Sequence, residues 1–284
     1  MLSRKIMSYT SEISRANPSC FLFLLDQSGS MTDALAGEAG KRKADKVADV
    51  INKFLQNLVI KCGKNEGVRN YFHVGVLGYG ANVGPAFAGT ISGRELVPIS
   101  EIADFPARIE ERSKKVDDGA GGLVDQKIKF PIWFDPVANG GTPMCQVLGQ
   151  AHKIISDWTG KNPTGFPPIV INVTDGESTD GDPSSAADTI KSISTTDGHV
   201  LLFNAHVSSR SEAPVLFPDS EAVLADDFAK LLFRMSSNLT DTMIAGARHE
   251  GIPASTSSKG FVFNANLEAL INFIDIGTRP GNLR

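Results

Sequence analysis

The residues best suited to chemistry in this chain are Asp26, Ser28 and Ser30 in the segment DQSGS, Thr142 in GGTPM, and Asp175 in VTDGES. All of these side chains offer oxygen, and none offers nitrogen or sulfur. That is the donor set of a hard divalent cation such as Mg²⁺, and oxygen ligands suit Mn²⁺ and Ca²⁺ as well. Two carboxylates balance a divalent charge, and hydroxyls fill further positions without adding to it. Ser28 and Ser30 flank Gly29, which lets the backbone curl so that both hydroxyls turn the same way. An octahedral ion takes six ligands and often keeps water, so these candidates leave a position for an external group.

Two apolar runs must position them. Phe21-Leu22-Phe23-Leu24-Leu25 leads into Asp26, and Ile169-Val170-Ile171-Asn172-Val173 leads towards Asp175. Each run reads as a buried parallel strand, with its polar cluster at the strand end. Ligands of open α/β sheets bind outside the carboxyl ends of the strands. Helical periodicity predicts helices over 41–62, 145–158, 186–193 and 224–235, and a last one capped by Asn266 that buries Leu267, Leu270, Ile271 and Ile274. Gly63 is a C-cap candidate for the first helix. Further strands are expected at 71–79, 199–207 and 261–263. This alternation predicts an α/β fold with a doubly wound, mostly parallel central sheet and helices on both faces.

The ordered motifs D-x-S-x-S, then GGTP, then TDG, each in its strand-end context, resemble the metal-ion-dependent adhesion site of von Willebrand factor type A domains. The resemblance covers about residues 18 to 276. It implies a Rossmann-like sheet and a non-catalytic protein-interaction module. It also implies that Ser28 and Ser30 bind the ion directly, and that Asp26, Asp175 and Thr142 bind directly or through water. A partner's Asp or Glu would take the vacant position. Stand-alone members of the family work with AAA+ ATPases of the MoxR kind or with kinase–phosphatase pairs, so such partners are expected here. The resemblance further implies that ligation could shift the Thr142 loop and the last helix.

Composition sets bounds on the rest. The chain has 284 residues, 41% hydrophobic and 21% charged, which suits a globular protein with a sizeable core. A net charge of −4 lacks the basic bias of nucleic-acid binders. Cys20, Cys62 and Cys145 are odd in number and form no C-x-x-C motif, which points to reduced thiols and a cytoplasmic location. Residues 1–17 lack the apolar stretch of about 7–15 residues of a secretory signal. No run approaches the roughly 18–20 residues that span a bilayer, so no membrane partner is expected.

Enzyme motifs are mostly missing. There is no G-x-x-x-x-G-K-[ST], no G-x-G-x-x-G after a strand and no G-x-S-x-G. The alternative from the enzyme class is metal-dependent phosphoryl transfer with Asp26 as nucleophile. Such enzymes carry a second acid two residues on, where this chain has Ser28. The expected organisation is an N-terminal extension, 1–17, and one domain, 18–284, with an insertion at about 84–139. Within the insertion, DDGAGG between charged and alternating segments predicts a hairpin. Its return near Trp133 to Asp135 is expected close to Thr142. Residues 208–224 read as a surface loop. Asp180 and Asp182 are expected to cap the helix at 186.

Overall fold

The run SCFLFLLD forms a strand, β1 (Ser19–Asp26), buried along its whole length. A strand covered on both faces needs neighbours on both edges and helices above and below, and the rest of the chain supplies them. The computed structural model describes residues 9–36, 40–117, 122–209 and 212–278. After β1 come α1 (Lys43–Cys62), a small ribbon of β2 (Gly63–Lys64) and β3 (Gly67–Val68), then β4 (Phe72–Tyr79), β5 (Val83–Pro85), β6 (Val97–Pro98) and α2 (Ile99–Asp104). A hairpin of β7 (Arg108–Asp117) and β8 (Leu123–Ile132) precedes α3 (Met144–Lys161), β9 (Ile169–Thr174) and α4 (Ser184–Ser192). The chain continues through β10 (Leu201–Val207), β11 (Val215–Leu216), α5 (Asp227–Met235), α6 (Asp241–His249), β12 (Phe261–Ala265) and α7 (Leu267–Gly277).

The central sheet has the order β11-β12-β10-β9-β1-β4-β5, with β6 also paired to β4. β12, β10, β9, β1 and β4 run parallel, and the short edge strands β5, β6 and β11 run antiparallel. The chain leaves β1 towards β4 on one side and later fills the other side with β9, β10 and β12. The gap between β1 and β9 is therefore the topological switch point, where open α/β sheets place their ligands. Phe21 lies opposite Ile169 and Leu25 opposite Val173, so the two strands end side by side.

Alternation along β1 divides the core. Phe21, Phe23 and Leu25 pack with Val47, Ile51 and Leu55 of α1 and with Leu270 and Ile274 of α7. Cys20, Leu22 and Leu24 pack with Val147, Leu148 and Ile155 of α3 and with Ile190 of α4. The doubly wound α/β architecture expected from the strand–helix alternation is thus present. Asn172, the one polar residue in its strand run, is satisfied laterally. It accepts from the Tyr79 hydroxyl at 2.6 Å and donates to Asn204 Oδ1 at 3.0 Å. Asn204 in turn donates to Ser236 Oγ at 2.9 Å. The row ties neighbouring strands together beneath the loops without leaving a buried amide unpaired.

Several local expectations change. Gly63 caps α1 with φ −68°, an extended value open to any residue, so no left-handed cap operates there. α2 and α6 were not anticipated: α2 has only six residues, too few turns for periodicity to register, whereas α6 is as long as the anticipated α4 and α5 and was simply missed. The hairpin forms as a two-stranded ribbon in register from Arg108↔Ile132 to Asp117↔Leu123; most of its DDGAGG turn lies outside the described residues. Its return passes close to the end of β1, where Phe134 and Asp135 line a small cavity with Asp26 and Gln27. Trp133 and Phe134 are core residues, with Trp133 Nε1 donating to the Ile102 carbonyl at 2.6 Å. Asn52 of α1 anchors them by accepting from Trp133 N–H and donating to the Phe134 carbonyl. Of the last helix, Leu270 and Ile274 are buried, but Ile271 is 47% exposed. The segment 208–224 contains edge strand β11 and the buried Phe217, so it is more than a loop. Ahead of β1, Ile13 is buried, and the N–H groups of Thr10 and Ser11 donate to the Asp197 carboxylate. Among the described residues no helix is long and apolar enough to cross a membrane.

Candidate metal centre

Asp26 is the last residue of β1 and is 2% exposed. Its Oδ1 accepts the Ser28 N–H at 2.8 Å, and its Oδ2 accepts from Thr174 Oγ1, at the end of β9, at 2.7 Å. Burial pushes the Asp26 carboxyl up to about 6; hydrogen bonds from Ser28 and Thr174 oppose that shift, and the charge of Asp175 adds to it. Beyond Asp26 the backbone turns. Ser28 is extended (ψ 165°) and a short 3₁₀ turn, Gly29–Thr32, follows. The two hydroxyls meet, with Ser28 Oγ 3.0 Å from Ser30 Oγ. Ser30 Oγ then donates to Asp175 Oδ1 at 2.8 Å.

The GGT loop is locked against both of its neighbours. Gly140 has φ +91°, and a Cβ there would lie 2.4 Å from Ala81 N, so only glycine fits. Its carbonyl accepts Gly29 N–H at 2.9 Å, and Asn139 N–H donates to the Gln27 carbonyl at 2.6 Å. On the other side Thr142 and Thr179 exchange bonds. Thr142 N–H donates to Thr179 Oγ1, and Thr179 N–H donates to the Thr142 carbonyl, both at 2.9 Å. A Cβ on Gly176 would approach Thr142 Oγ1 to 4.0 Å, which places that hydroxyl beside the segment just after Asp175. All five residues singled out from the sequence therefore lie on three loops stitched to one another at the carboxyl edge of the sheet.

The donor set fits a small divalent cation in chemistry and in spacing. Ligands about 2.0–2.1 Å from an octahedral ion lie about 2.9 Å apart along its edges. The Ser28–Ser30 and Ser30–Asp175 oxygen separations, 3.0 and 2.8 Å, are hydrogen-bond distances that an ion could bridge without moving the oxygens far, since they are close to that edge. Among the described residues no group of three or more His, Cys, Asp or Glu side chains is placed to hold a metal ion, so a cation here depends on the hydroxyls. Asp26 stands behind Ser28, with both oxygens already accepting hydrogen bonds, and supplies charge from that position.

Three participants escaped the sequence reading. Thr174 holds Asp26, and Thr179 holds Thr142. Lys43, the first residue of α1, places Nζ 2.8 Å from Asp175 Oδ2. Nothing in helical periodicity marks which polar residue at a helix start will face inward. Asp180 also differs from expectation: it caps α3, accepting from Cys145 N–H at 3.0 Å and Gln146 N–H at 2.9 Å. Asp182 does serve α4, accepting from Ser184 N–H.

No protein-family model matches the chain, and no curated protein matches it. Among solved structures, a von Willebrand factor type A protein from Catenulispora acidiphila aligns at 14% identity and TM-score 0.35, covering 67% of this chain and 33% of that one. The PilB minor pilin from Streptococcus sanguinis aligns at 12% identity and TM-score 0.42, covering 92% and 61%. The vWF domain of the type V pili tip protein Mfa5 from Porphyromonas gingivalis aligns at 14% identity and TM-score 0.31, covering 57% and 39%. In each case this chain spans less than two thirds of the other's length. The fold described above rests on this chain's own strand order and register.

Proposed function

We propose that this chain is a non-catalytic protein-interaction module whose binding depends on a divalent cation, Mg²⁺ or its oxygen-liganded relatives Mn²⁺ and Ca²⁺, at the β1–β9 switch point. Ser28, Ser30 and Asp175 would hold the ion. Asp26 and Thr142 would complete its surroundings directly or through water. When bound, the ion supplies a Lewis-acidic position for a carboxylate, so the partner would present an Asp or Glu there. The observation that carries the reading is the run of oxygens from Ser28 through Ser30 to Asp175 at octahedral-edge spacing. The surrounding loops would supply most of the affinity and the identity of the partner, since exchanging water for a carboxylate at an open ion gains little. An AAA+ ATPase or a kinase–phosphatase pair remains the class of partner the sequence resemblance suggests. Three free thiols, two of them buried, suit a reducing, cytoplasmic setting.

Phosphoryl transfer at Asp26 is less well supported. A nucleophilic carboxylate needs an oxygen open to substrate, whereas Asp26 is buried and both of its oxygens accept hydrogen bonds. The test is calorimetric titration with Mg²⁺ and with Mn²⁺. The wild type should give a binding heat that Ser28→Ala and Ser30→Ala abolish. Equal absence of heat in all three, and in Lys43→Gln as well, ends the metal reading.

A further inference from the structure

Lys43 is out of place by two ordinary rules. It opens α1, where the helix dipole disfavours a cation, and its side chain is only 7% exposed, although lysine is almost never buried without a partner. What holds it is the candidate site itself. Its ammonium lies 2.8 Å from Asp175 Oδ2, 3.5 Å from the Ser30 carbonyl and 3.6 Å from Asp33 Oδ2. The two carboxylates differ in setting: the Asp175 side chain is fully buried, whereas that of Asp33 is 62% exposed. Both oxygens of Asp175 are engaged, one by the Ser30 hydroxyl and one by Lys43.

We propose, on the reading above, that Lys43 is a tethered cation competing with the divalent ion for Asp175, and that Asp33 is the carboxylate to which its ammonium withdraws. The physical basis is charge. With Lys43 seated, Asp175 is already neutralised, and Asp26 alone is left to attract a cation. With Lys43 turned to Asp33, both acids of the site face it. The move is short, because both acceptor oxygens lie within 4 Å of the same nitrogen on a flexible four-carbon stem. Asp33 can receive it at the solvent edge, where a charge pair costs little desolvation. Lys43 also keeps the three loops together before any ion arrives, since a buried Asp175 without a counter-charge would force the β9 loop outward. The affinity for the ion is then set by a difference between two cations, which makes the site weaker and more concentration-sensitive than its oxygens alone would make it.

Calorimetric titration with Mg²⁺ alone tests this on the full chain, using the wild type, Lys43→Met, Lys43→Gln, Asp33→Asn and Ser30→Ala. Glutamine keeps a donor for Asp175 without the charge, so it covers the case in which methionine fails to fold. Both Lys43 variants should bind Mg²⁺ at least about tenfold more tightly than wild type, the scale of one partly buried charge pair. In chelator they should melt below it. Asp33→Asn should weaken binding severalfold in the wild type and leave a Lys43→Gln background within twofold. If Ser30→Ala abolishes binding while the Lys43 variants bind no better than wild type, the metal reading stands and the competition is refuted. If no protein binds Mg²⁺, Lys43→Gln included, the competition and the metal reading fall together. Binding by the Lys43 variants alone, with none by wild type, is the strongest support for it.

Discussion

Replacing Asp26 by Asn should stabilise the metal-free protein at neutral pH while destroying its response to Mg²⁺. The carboxyl is buried, and its acidity moves from 3.8 to about 6. A folded-state value above the unfolded one means that the folded protein holds the proton more tightly. Stability is therefore greatest below the unfolded value, falls as pH rises through the interval from 3.8 to about 6, and is level above it. At about 1.4 kcal/mol for each tenfold step in acidity, the ionised carboxylate costs up to about 3 kcal/mol at pH 7.5. Asparagine is isosteric and removes the charge. Its amide oxygen can accept the Ser28 N–H as Oδ1 does now. Its amide nitrogen can donate to Thr174 Oγ1, whose own hydroxyl is within 3.1 Å of the Gly176 carbonyl and can donate there instead. The network stays satisfied, so the variant isolates the charge. In chelator at pH 7.5, Asp26→Asn should melt about 6 °C above wild type, taking about 2 °C per kcal/mol for a chain of this size. Near pH 4 the two should melt together. Adding Mg²⁺ at pH 7.5 should raise the wild-type midpoint and leave the variant's unchanged. Denaturant titrations at both pH values check the same quantity. An Asn variant less stable than wild type in chelator at pH 7.5, or a difference that does not change between the two pH values, would refute the assignment of a desolvated carboxylate at this position.

Two further outcomes follow from other contacts. Gly140→Ala must place a side chain at φ +91° and against the Ala81 backbone; it should cost at least about 1–3 kcal/mol in chemical denaturation and weaken Mg²⁺ binding by displacing Thr142. Asn52→Ala leaves the buried Trp133 N–H and Phe134 carbonyl without this partner, so stability should fall by about 1–3 kcal/mol in chemical denaturation.

Much of the candidate site was legible because its chemistry is local. DQSGS, GGTPM and VTDGES each carry their donors within a few residues of a strand end, and apolar runs such as FLFLL announce those strands without tertiary information. The long helices were legible for the same reason: α1 and α3 show several turns of apolar spacing, and Asn266 does cap α7, accepting from Ala269 N–H. The six-residue α2 offers too few turns for that signal. The destination of Trp133 was hidden because a residue leaving a hairpin reads alike whether it enters the core or lines a rim; Asn52, 81 residues away, decides it.

The sequence by itself determined which oxygens could serve a cation and that strands would carry them to one edge of a sheet, because residue type and periodicity act over a few positions. Only the tertiary structure decided that Ser30 would bridge Ser28 to Asp175, that Thr174 would hold Asp26, and that an ammonium would already lie against the site. Lys43 and Asp175 are 132 residues apart. Their meeting depends on α1 starting beside the loops that leave β1 and β9, a property of how strands are ordered and helices laid on them, which no local pattern records.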